Sequence, residues 1–379
     1  MKILIAMRLL SLREGGMLFS RELADELQRQ GHTVMLYSSD VSAQGPLEEN
    51  REVSVVTDIG ELPFQPDIIH GQTMTDSMAV LMALPGVPAI FHCHGAIWGT
   101  CPPRHPRICR YLAMSRTLAE RIMAESNIGP ERISVFLTPV NLTRFQDVRE
   151  LPERPKRALF YNGHHGEESA TFRAVRQATE QCGLELDCIG RLFDRTIDNP
   201  HEVLPQYDIV FASGMAAMEA AACGCAVVVL GRNSCGELLS PENYECVRGV
   251  NFSIAGNLPP PLPEAVEAEV RRYSAEACAQ VTQQVRRDVD FAKATEELVG
   301  IYQDVVERHE ATPSDLEAES LANSRYLRKI APLVRISDGV LDGAWSSVAA
   351  LESAVSLRAR LERVARAIEN PRVTESRGG

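Results

Sequence analysis

The sequence predicts an α/β protein: two doubly wound, parallel-sheet halves with a cleft between them, followed by a helical C-terminal extension. Three observations lead there. Short apolar runs alternate with helical patterns from Lys2 to about Val140, and the alternation restarts at Ala158 and continues to Leu230. Between them lies DVRELPERPK (Asp147–Lys156), polar and interrupted by two prolines, which continues neither sheet nor helix. Beyond about His309 no strand pattern returns. A chain of 379 residues exceeds one ordinary core, so two domains of roughly 150 residues are the expectation. The expected division is 1–146 for the first domain, 147–157 for a linker and 158–287 for the second domain. Residues 288–310 are expected to form a helix that packs back toward the first domain, and 311–379 the extension.

Taken in order, Lys2–Met7 is an apolar strand, followed by a loop carrying Gly15 and Gly16. A helical pattern (Leu18, Phe19, Leu23, Leu27) ends at Gly31, and Thr33–Tyr37 is the next strand. Strand, glycine loop, helix and strand make a right-handed βαβ unit, and glycines at that turn let backbone N–H groups approach an anion. Further strands read at Val53–Val56, Asp67–His70, Ala89–His94, Tyr111–Ser115 and Ile133–Leu137. In an open parallel sheet ligands bind beyond the carboxyl ends of the strands, which makes His94, closing the run FHCHG, a site candidate. The second half reads as strand Ala158–Tyr161, loop Asn162–Ser169, helix Ala170–Gln181, strand Leu186–Ile189 and the turn at Gly190. Then comes DIVFASGMAAMEAAACGCAVVVL (Asp208–Leu230): a strand at Ile209–Phe211, a small-residue turn, a compact Ala/Met helix stopped by Gly224, and a strand from Ala226. Glu219 is the only charged side chain between Asp208 and Leu230, so it needs a partner or an open edge. A loop rich in Cys, Asn and Gly follows, then Pro259–Pro261, then helical stretches at Ala265–Tyr273, Ala275–Val285 and Phe291–His309.

In the extension, Leu351, Val355, Arg358, Leu361, Val364 and Ile368 recur at helical spacing, and from Leu357 onward there are six Arg against three Glu. Such an amphipathic helix docks on its own chain, pairs with a second subunit or touches an anionic membrane.

A net charge of −12 argues against nucleic acid as the main partner, because phosphate binding needs clustered Lys and Arg. MKILIAMRLL has too few apolar residues for a membrane span and lacks a small-residue cleavage site, and no other run approaches about 18 apolar residues. A cytoplasmic protein with reduced thiols is the expectation. His92, Cys93, His94, Cys101, His105 and Cys109 fall within 18 residues and include both zinc ligand types, but they form no C-x-x-C pair and alternate between strand faces. No metal site is assigned to them.

The segments MKILIA…GG…LADELQRQGHTV, PDIIHGQT, GVPAIFHCHG, YLAMSRTLAERI and the Asp208–Leu230 passage together resemble the GT-B glycosyltransferases of the large retaining, GT4-like family that includes sucrose synthases and bacterial polysaccharide enzymes. The likeness runs from Met1 to about His309, and its most specific part is E-A-x-A-x-G-x-x-V-V at Glu219–Val228. It implies two Rossmann-like domains, with a nucleotide-diphosphate sugar held mainly on the second and an acceptor on the first. It further implies that Glu219 binds the ribose hydroxyls, since one carboxylate accepts two such hydrogen bonds. Ser213, Gly214 and Met215 would face the diphosphate and sugar at a helix N-terminus. His94 would contact the transferred sugar, and Gly15 and Gly16 would lie beside the donor phosphates. Gly163, His164, His165 and Arg191 complete the donor-side candidates, with His94 and Glu219 as the catalytic ones. No cofactor is implied beyond the sugar nucleotide as substrate, and the acceptor is unidentified.

Two departures accompany the resemblance. The family's second glutamate, eight positions before the ribose-binding one, is Phe211 here. The Arg and Lys that neutralise the donor diphosphate are replaced by NGHHGEE (Asn162–Glu168), with no Arg or Lys before Arg173. Neutralising the leaving diphosphate is a main part of the barrier, and a protonated His164 or His165 would have to substitute. The leading expectation is transfer of a sugar with retention and without a tightly bound metal. The alternatives are a catalytically impaired member acting as a nucleotide-sugar-binding or assembly subunit, and a sugar-nucleotide epimerase of the same fold.

Overall fold

In the computed structural model the described residues are 1–8, 15–39, 53–95, 100–197, 199–231, 233–254, 261–311 and 315–332. The first sheet contains β1 (Lys2–Ala6), β2 (Thr33–Tyr37), β3 (Val55–Val56), β4 (Ile68–Gly71), β5 (Ala89–Cys93), β6 (Ile108–Ala113) and β7 (Ile133–Val135). All pair in parallel in the order β3-β2-β1-β4-β5-β6-β7. Ile3, Leu4, Ile5 and Ala6 are wholly buried on both faces of β1, as a parallel strand covered on each side requires. The crossovers include α1 (Gly15–Arg29), α2 (Met74–Ala83) and α3 (Arg116–Ser126). The Ser115 hydroxyl starts α3 by accepting the Leu118 N–H at 3.1 Å. Strand order reverses between β1 and β4, and a reversal of this kind opens a crevice at the carboxyl ends.

The second sheet runs β12-β11-β10-β8-β9. Its members are β8 (Arg157–Tyr161), β9 (Glu185–Ile189), β10 (Ile209–Ala212), β11 (Ala226–Leu230) and β12 (Cys235–Leu238). The first four are parallel and β12 is antiparallel to β11. Here the order reverses between β8 and β10. The helices are α4 (Ala170–Gln181), α5 (Pro200–Val203), α6 (Met215–Ala222), α7 (Tyr244–Gly249), α8 (Pro263–Arg271), α9 (Ala275–Asp288) and α10 (Phe291–Glu310).

Several elements differ from the sequence reading. β12 was expected as loop, because Cys-Gly-Glu-Leu lacks alternation; it is a strand only because the edge of β11 is there to pair with it. β6 begins at Ile108, its apolar run disguised by Arg110, whose guanidinium donates to the Glu131 carbonyl at 3.0 Å. Gly15 and Gly16 open α1 rather than standing in the loop before it. A Cβ on Gly16 would lie 3.3 Å from Met7 Cε and 3.7 Å from His94 Cγ, so close packing against the strand ends explains the residue.

The chain passes twice between the two sheets. Val140 and Phe145 pack in the second core, although both precede the polar segment. In the other direction Phe291, Leu298, Tyr302 and Val305 of α10 pack in the first core. The two passages hydrogen-bond to each other: Val140 N–H donates to the Val289 carbonyl at 2.7 Å and Phe291 N–H to the Val140 carbonyl at 3.1 Å. The polar segment is tied down by Asp208, which accepts from Arg149 and from the backbone N–H groups of Lys156 and Arg157 at 2.7 and 2.9 Å. In the first domain the buried Arg107 donates to the carbonyls of Leu81 in the last turn of α2 and of Leu84 and Val87 beyond it, and pairs with the buried Glu319 at 2.7 Å. Residues 1–319 form one compact body, and Ser320 begins a second. Residues 316–332 are helical, and the Leu351–Ile368 pattern lies outside the described residues. Among the described residues no helix is long and apolar enough to cross a membrane.

Gly224 ends α6 with φ at +89°, and a Cβ there would overlap the Arg149 carbonyl. Gly224→Ala therefore meets both left-handed strain and a backbone clash, and is expected to destabilise by about 2 kcal/mol or more. A melt followed by circular dichroism should show the midpoint several degrees lower, and an unchanged melt would mean that the Arg149 segment moves freely.

Candidate active site

Both strand-order reversals deliver polar groups to carboxyl strand ends. In the second domain β10 runs into Ser213 and Gly214, and Gly214 is the N-cap of α6. Gly214 has φ 59° and ψ −133°, and no side chain caps the helix, so the first amides of α6 have no partner within the helix. The turn is braced by Gly214 N–H donating to the Phe252 carbonyl at 2.7 Å. On the neighbouring strand end the Asn162 carboxamide reaches Ser213 Oγ at 3.4 Å and accepts the His164 N–H at 2.7 Å. Met215 packs against both cores and so marks the seam between them.

Glu219 lies on α6, 9% exposed, and takes no hydrogen bond or ion pair among the described residues. Burial pushes its pKa up to about 8; Glu22 of α1 adds to the rise and Arg144 opposes it. Arg144 in turn contacts Glu22 at 3.4 Å and donates to His201 Nδ1 at 3.4 Å. Burial, and then Glu219, also raise the pKa of Tyr161 at the end of β8. A carboxyl so placed is suited to accept hydroxyl hydrogen bonds from a ligand, since the described residues supply it with none.

In the first domain His94 follows β5, half-buried, with Gly16 against its ring. Its Nε2 lies 2.8 Å from Gln72 Oε1, which also accepts from Ser20 Oγ at 2.6 Å. His92 stacks on His94 with centroids 4.3 Å apart, and His70 stacks beyond His92 at 5.7 Å. The file ends where His70 Nδ1 meets the Tyr302 hydroxyl of α10 at 2.6 Å. Phe19 touches His92, His94 and Phe291, joining the site to the second passage between the sheets. Burial lowers the pKa of His70 to about 3 and of His94 to about 4, and holds His92 well below its ordinary value, so all three rings are neutral near pH 7.

The sequence-derived candidates thus fall into two groups at strand ends. Gly15, Gly16 and His94 belong to the first sheet, and Gly163, His164, Arg191, Ser213, Gly214, Met215 and Glu219 to the second. His165 is a correction: it is buried, its Nε2 contacts the Gly231 carbonyl at 3.1 Å and its ring stands edge-on to Phe160. Its ring is thus engaged in the core, and of the two histidines only His164 is exposed. Arg191 is also exposed, in the turn after β9. Sequence reasoning missed Ser20, Glu22, Gln72 and Arg144, ordinary polar residues of a helix, a strand end and a connection. The signal for Gln72 was its place directly after strand β4. Cys93 is buried on β5, and among the described residues no group of three or more His, Cys, Asp or Glu is placed to hold a metal ion.

This architecture is the GT-B fold, two Rossmann-like sheets, here with the candidate site residues at or beyond their carboxyl ends. It is shared with a glycosyltransferase from Rickettsia africae (TM-score 0.58, 13% identity, covering 80% of this chain and 98% of that one). Anabaena HepE, solved in complex with UDP and glucose, is also similar (TM-score 0.55, 11% identity, 80% and 100% covered). So is sucrose-phosphate synthase from Thermosynechococcus elongatus (TM-score 0.52, 12% identity, 81% and 99% covered). Residues 15–144, about a third of the chain, match the family model described as Glycosyltransferase Family 4. The resemblance drawn from the motifs is borne out in sequence for the first half and in fold for both halves. No curated protein matches the sequence.

Two pH effects follow from the buried groups. Between the ordinary carboxylate value of 4.5 and about 8, the folded protein keeps on Glu219 a proton that the unfolded chain has released, so stability falls as pH rises through that window. At about 1.4 kcal/mol per pH unit the loss is up to about 4–5 kcal/mol. In denaturant titrations Glu219→Gln should be more stable than the native protein at about pH 8, with the advantage gone near pH 4.5; equal stability at both would show that the carboxyl is solvated. The histidines act in the opposite sense. The stability gained by holding His70, His92 and His94 neutral is complete above 6.5 and is lost as pH falls below it, at about 1.4 kcal/mol per ring per pH unit. His92→Leu should reduce the loss of stability between about pH 7 and pH 5 by roughly a third, and an unaltered loss would place the acid sensitivity elsewhere.

Proposed function

We propose that the protein is a glycosyltransferase that moves a sugar from a nucleotide-diphosphate donor, held mainly on the second domain, to an acceptor bound on the first, with retention and without a tightly bound metal. The observation that carries this reading is Glu219: a nine-tenths buried carboxyl with no partner among the described residues, in the helix whose uncapped N-terminus begins at Gly214. In this reading Glu219 accepts the two ribose hydroxyls, and the Ser213–Met215 turn, its Gly214 N–H held by the Phe252 carbonyl, presents the uncapped first amides of α6 to the diphosphate, where the helix dipole favours negative charge. The neutral ring of His94 meets the transferred sugar. The complex of HepE with UDP and glucose, in a protein of the same fold, supports a donor of this class.

In that scheme the leaving diphosphate is stabilised by the α6 amides and by cations brought from other segments. Arg8 stands directly after β1, its backbone N–H on Thr73 Oγ1 at 3.0 Å, and Arg191 is exposed after β9. One observation favours the second reading, a nucleotide-sugar-binding or assembly subunit without turnover: loop 162–168 has no Arg or Lys, and His165 is buried.

A thermal-shift screen with UDP, GDP, ADP and their sugars, followed by donor hydrolysis, separates the readings. Stabilisation by one nucleotide together with slow donor hydrolysis is expected. Binding without turnover, whatever the acceptor, would leave the second reading, and no stabilisation by any nucleotide would sink both. Glu219→Ala should weaken nucleotide binding by about 2 kcal/mol, roughly thirtyfold, through the loss of both ribose hydrogen bonds. Unchanged affinity by calorimetry would remove Glu219 from the site.

A further inference from the structure

We propose that Gln72, seated by Ser20, is a positioning residue that holds His94 as its Nε2–H tautomer, so that the ring offers the lone pair of Nδ1, not an N–H, to its ligand. The Gln72 side chain is wholly buried at the end of β4 and its Oε1 lies 2.6 Å from Ser20 Oγ and 2.8 Å from His94 Nε2; the Gln72 oxygen is the nearest of the three acceptors around the single Ser20 hydroxyl proton, with the Gly16 carbonyl and Met7 Sδ each at 2.7 Å. A carboxamide oxygen only accepts, so the imidazole nitrogen facing it carries the proton. The second nitrogen of a neutral imidazole is then an acceptor, and Nδ1 of His94 has no hydrogen bond among the described residues. Ser20 stands one turn along α1 from Gly16, with Oγ 2.7 Å from the Gly16 carbonyl, so the glycine that lies against His94 and the serine that seats Gln72 belong to one helical turn.

The ring cannot readily turn away from this arrangement. His92 stacks on one face at 4.3 Å, Phe19 lies against it at 5.2 Å, and a side chain at Gly16 would touch Cγ. Among the described residues nothing else competes for the carboxamide: Gln72 Nε2 is buried without a partner, as are both nitrogens of His92. Its orientation therefore rests on Ser20 and His94.

The consequence for specificity rests on the transferase reading above. A neutral acceptor at Nδ1 suits a sugar hydroxyl, which has a proton to give, and disfavours a sugar carboxylate at the same place, which has none.

Long-range proton–nitrogen NMR correlation of the histidine rings, recorded on the ligand-free protein near pH 7, tests the proposal directly. His94 should show a single tautomer protonated at Nε2. Gln72→Leu should release it to a mixture, and Ser20→Ala, which removes only one of the two donors on Oε1, should do so partially. The opposite tautomer in the native protein overturns the proposal, as does an unchanged tautomer in both variants. If Gln72→Leu does not fold, the native spectrum and Ser20→Ala decide. With a donor in hand, Gln72→Leu is expected to lower the hydrolysis kcat about tenfold while KM stays within about twofold, the pattern of misoriented chemistry with intact binding. The spectra need no substrate, so the expected tautomer with no turnover on any donor would count against the transferase reading alone.

Discussion

The arrangement depends on the place where the chain crosses twice between its two sheets. Val140 on the way out and Val289 to Phe291 on the way back exchange backbone hydrogen bonds, so the two connections act as one braced strip instead of two independent linkers. On either side of that strip lie residues borrowed from the other half of the sequence. Phe145 is in the second core, and Phe291, Leu298 and Tyr302 are in the first. The groups at both sets of strand ends are held in register by this exchange. Phe19 shows how close the coupling is, since its ring touches the site histidine and the first residue of α10.

Against that frame the site carries groups that the fold alone would not choose. A buried carboxyl without a partner, raised to about 8, is a liability for stability that a Gln or Leu would remove. The imidazole file is similar, with both nitrogens of His92 buried and unpaired. Sites that break local rules in this way are where function is expected, because a ligand restores the missing hydrogen bonds. Arg144 moderates the liability: it contacts Glu22 at 3.4 Å, and its charge opposes the rise that burial and Glu22 impose on Glu219.

Most of the fold was legible in the residues because buried parallel strands are short apolar runs, and those at Lys2, Ala158, Ile209 and Ala226 are uninterrupted. The unexpected strand β12 has no such run, and β6 hides its start behind Arg110. The site was legible in part for the same reason: His94 and Gly214 stand just after strand ends, and Glu219 lies on the short helix that follows β10. Ser20, Gln72, Glu22 and Arg144 left no comparable mark, since nothing local distinguishes a glutamine that orients a histidine from one that faces water.

The sequence by itself determined the two alternating halves, the turn at Ser213–Gly214 and the presence of one isolated carboxylate at Glu219, all of which follow from local pattern and composition. Tertiary structure alone decided that Glu219 has no partner among the described residues, that His165 is lost to the core while His164 is exposed, and that Ser20 and His94 meet at the Gln72 oxygen. Those outcomes rest on contacts between residues tens to hundreds of positions apart, set by strand order and the double crossing, and no local periodicity records them.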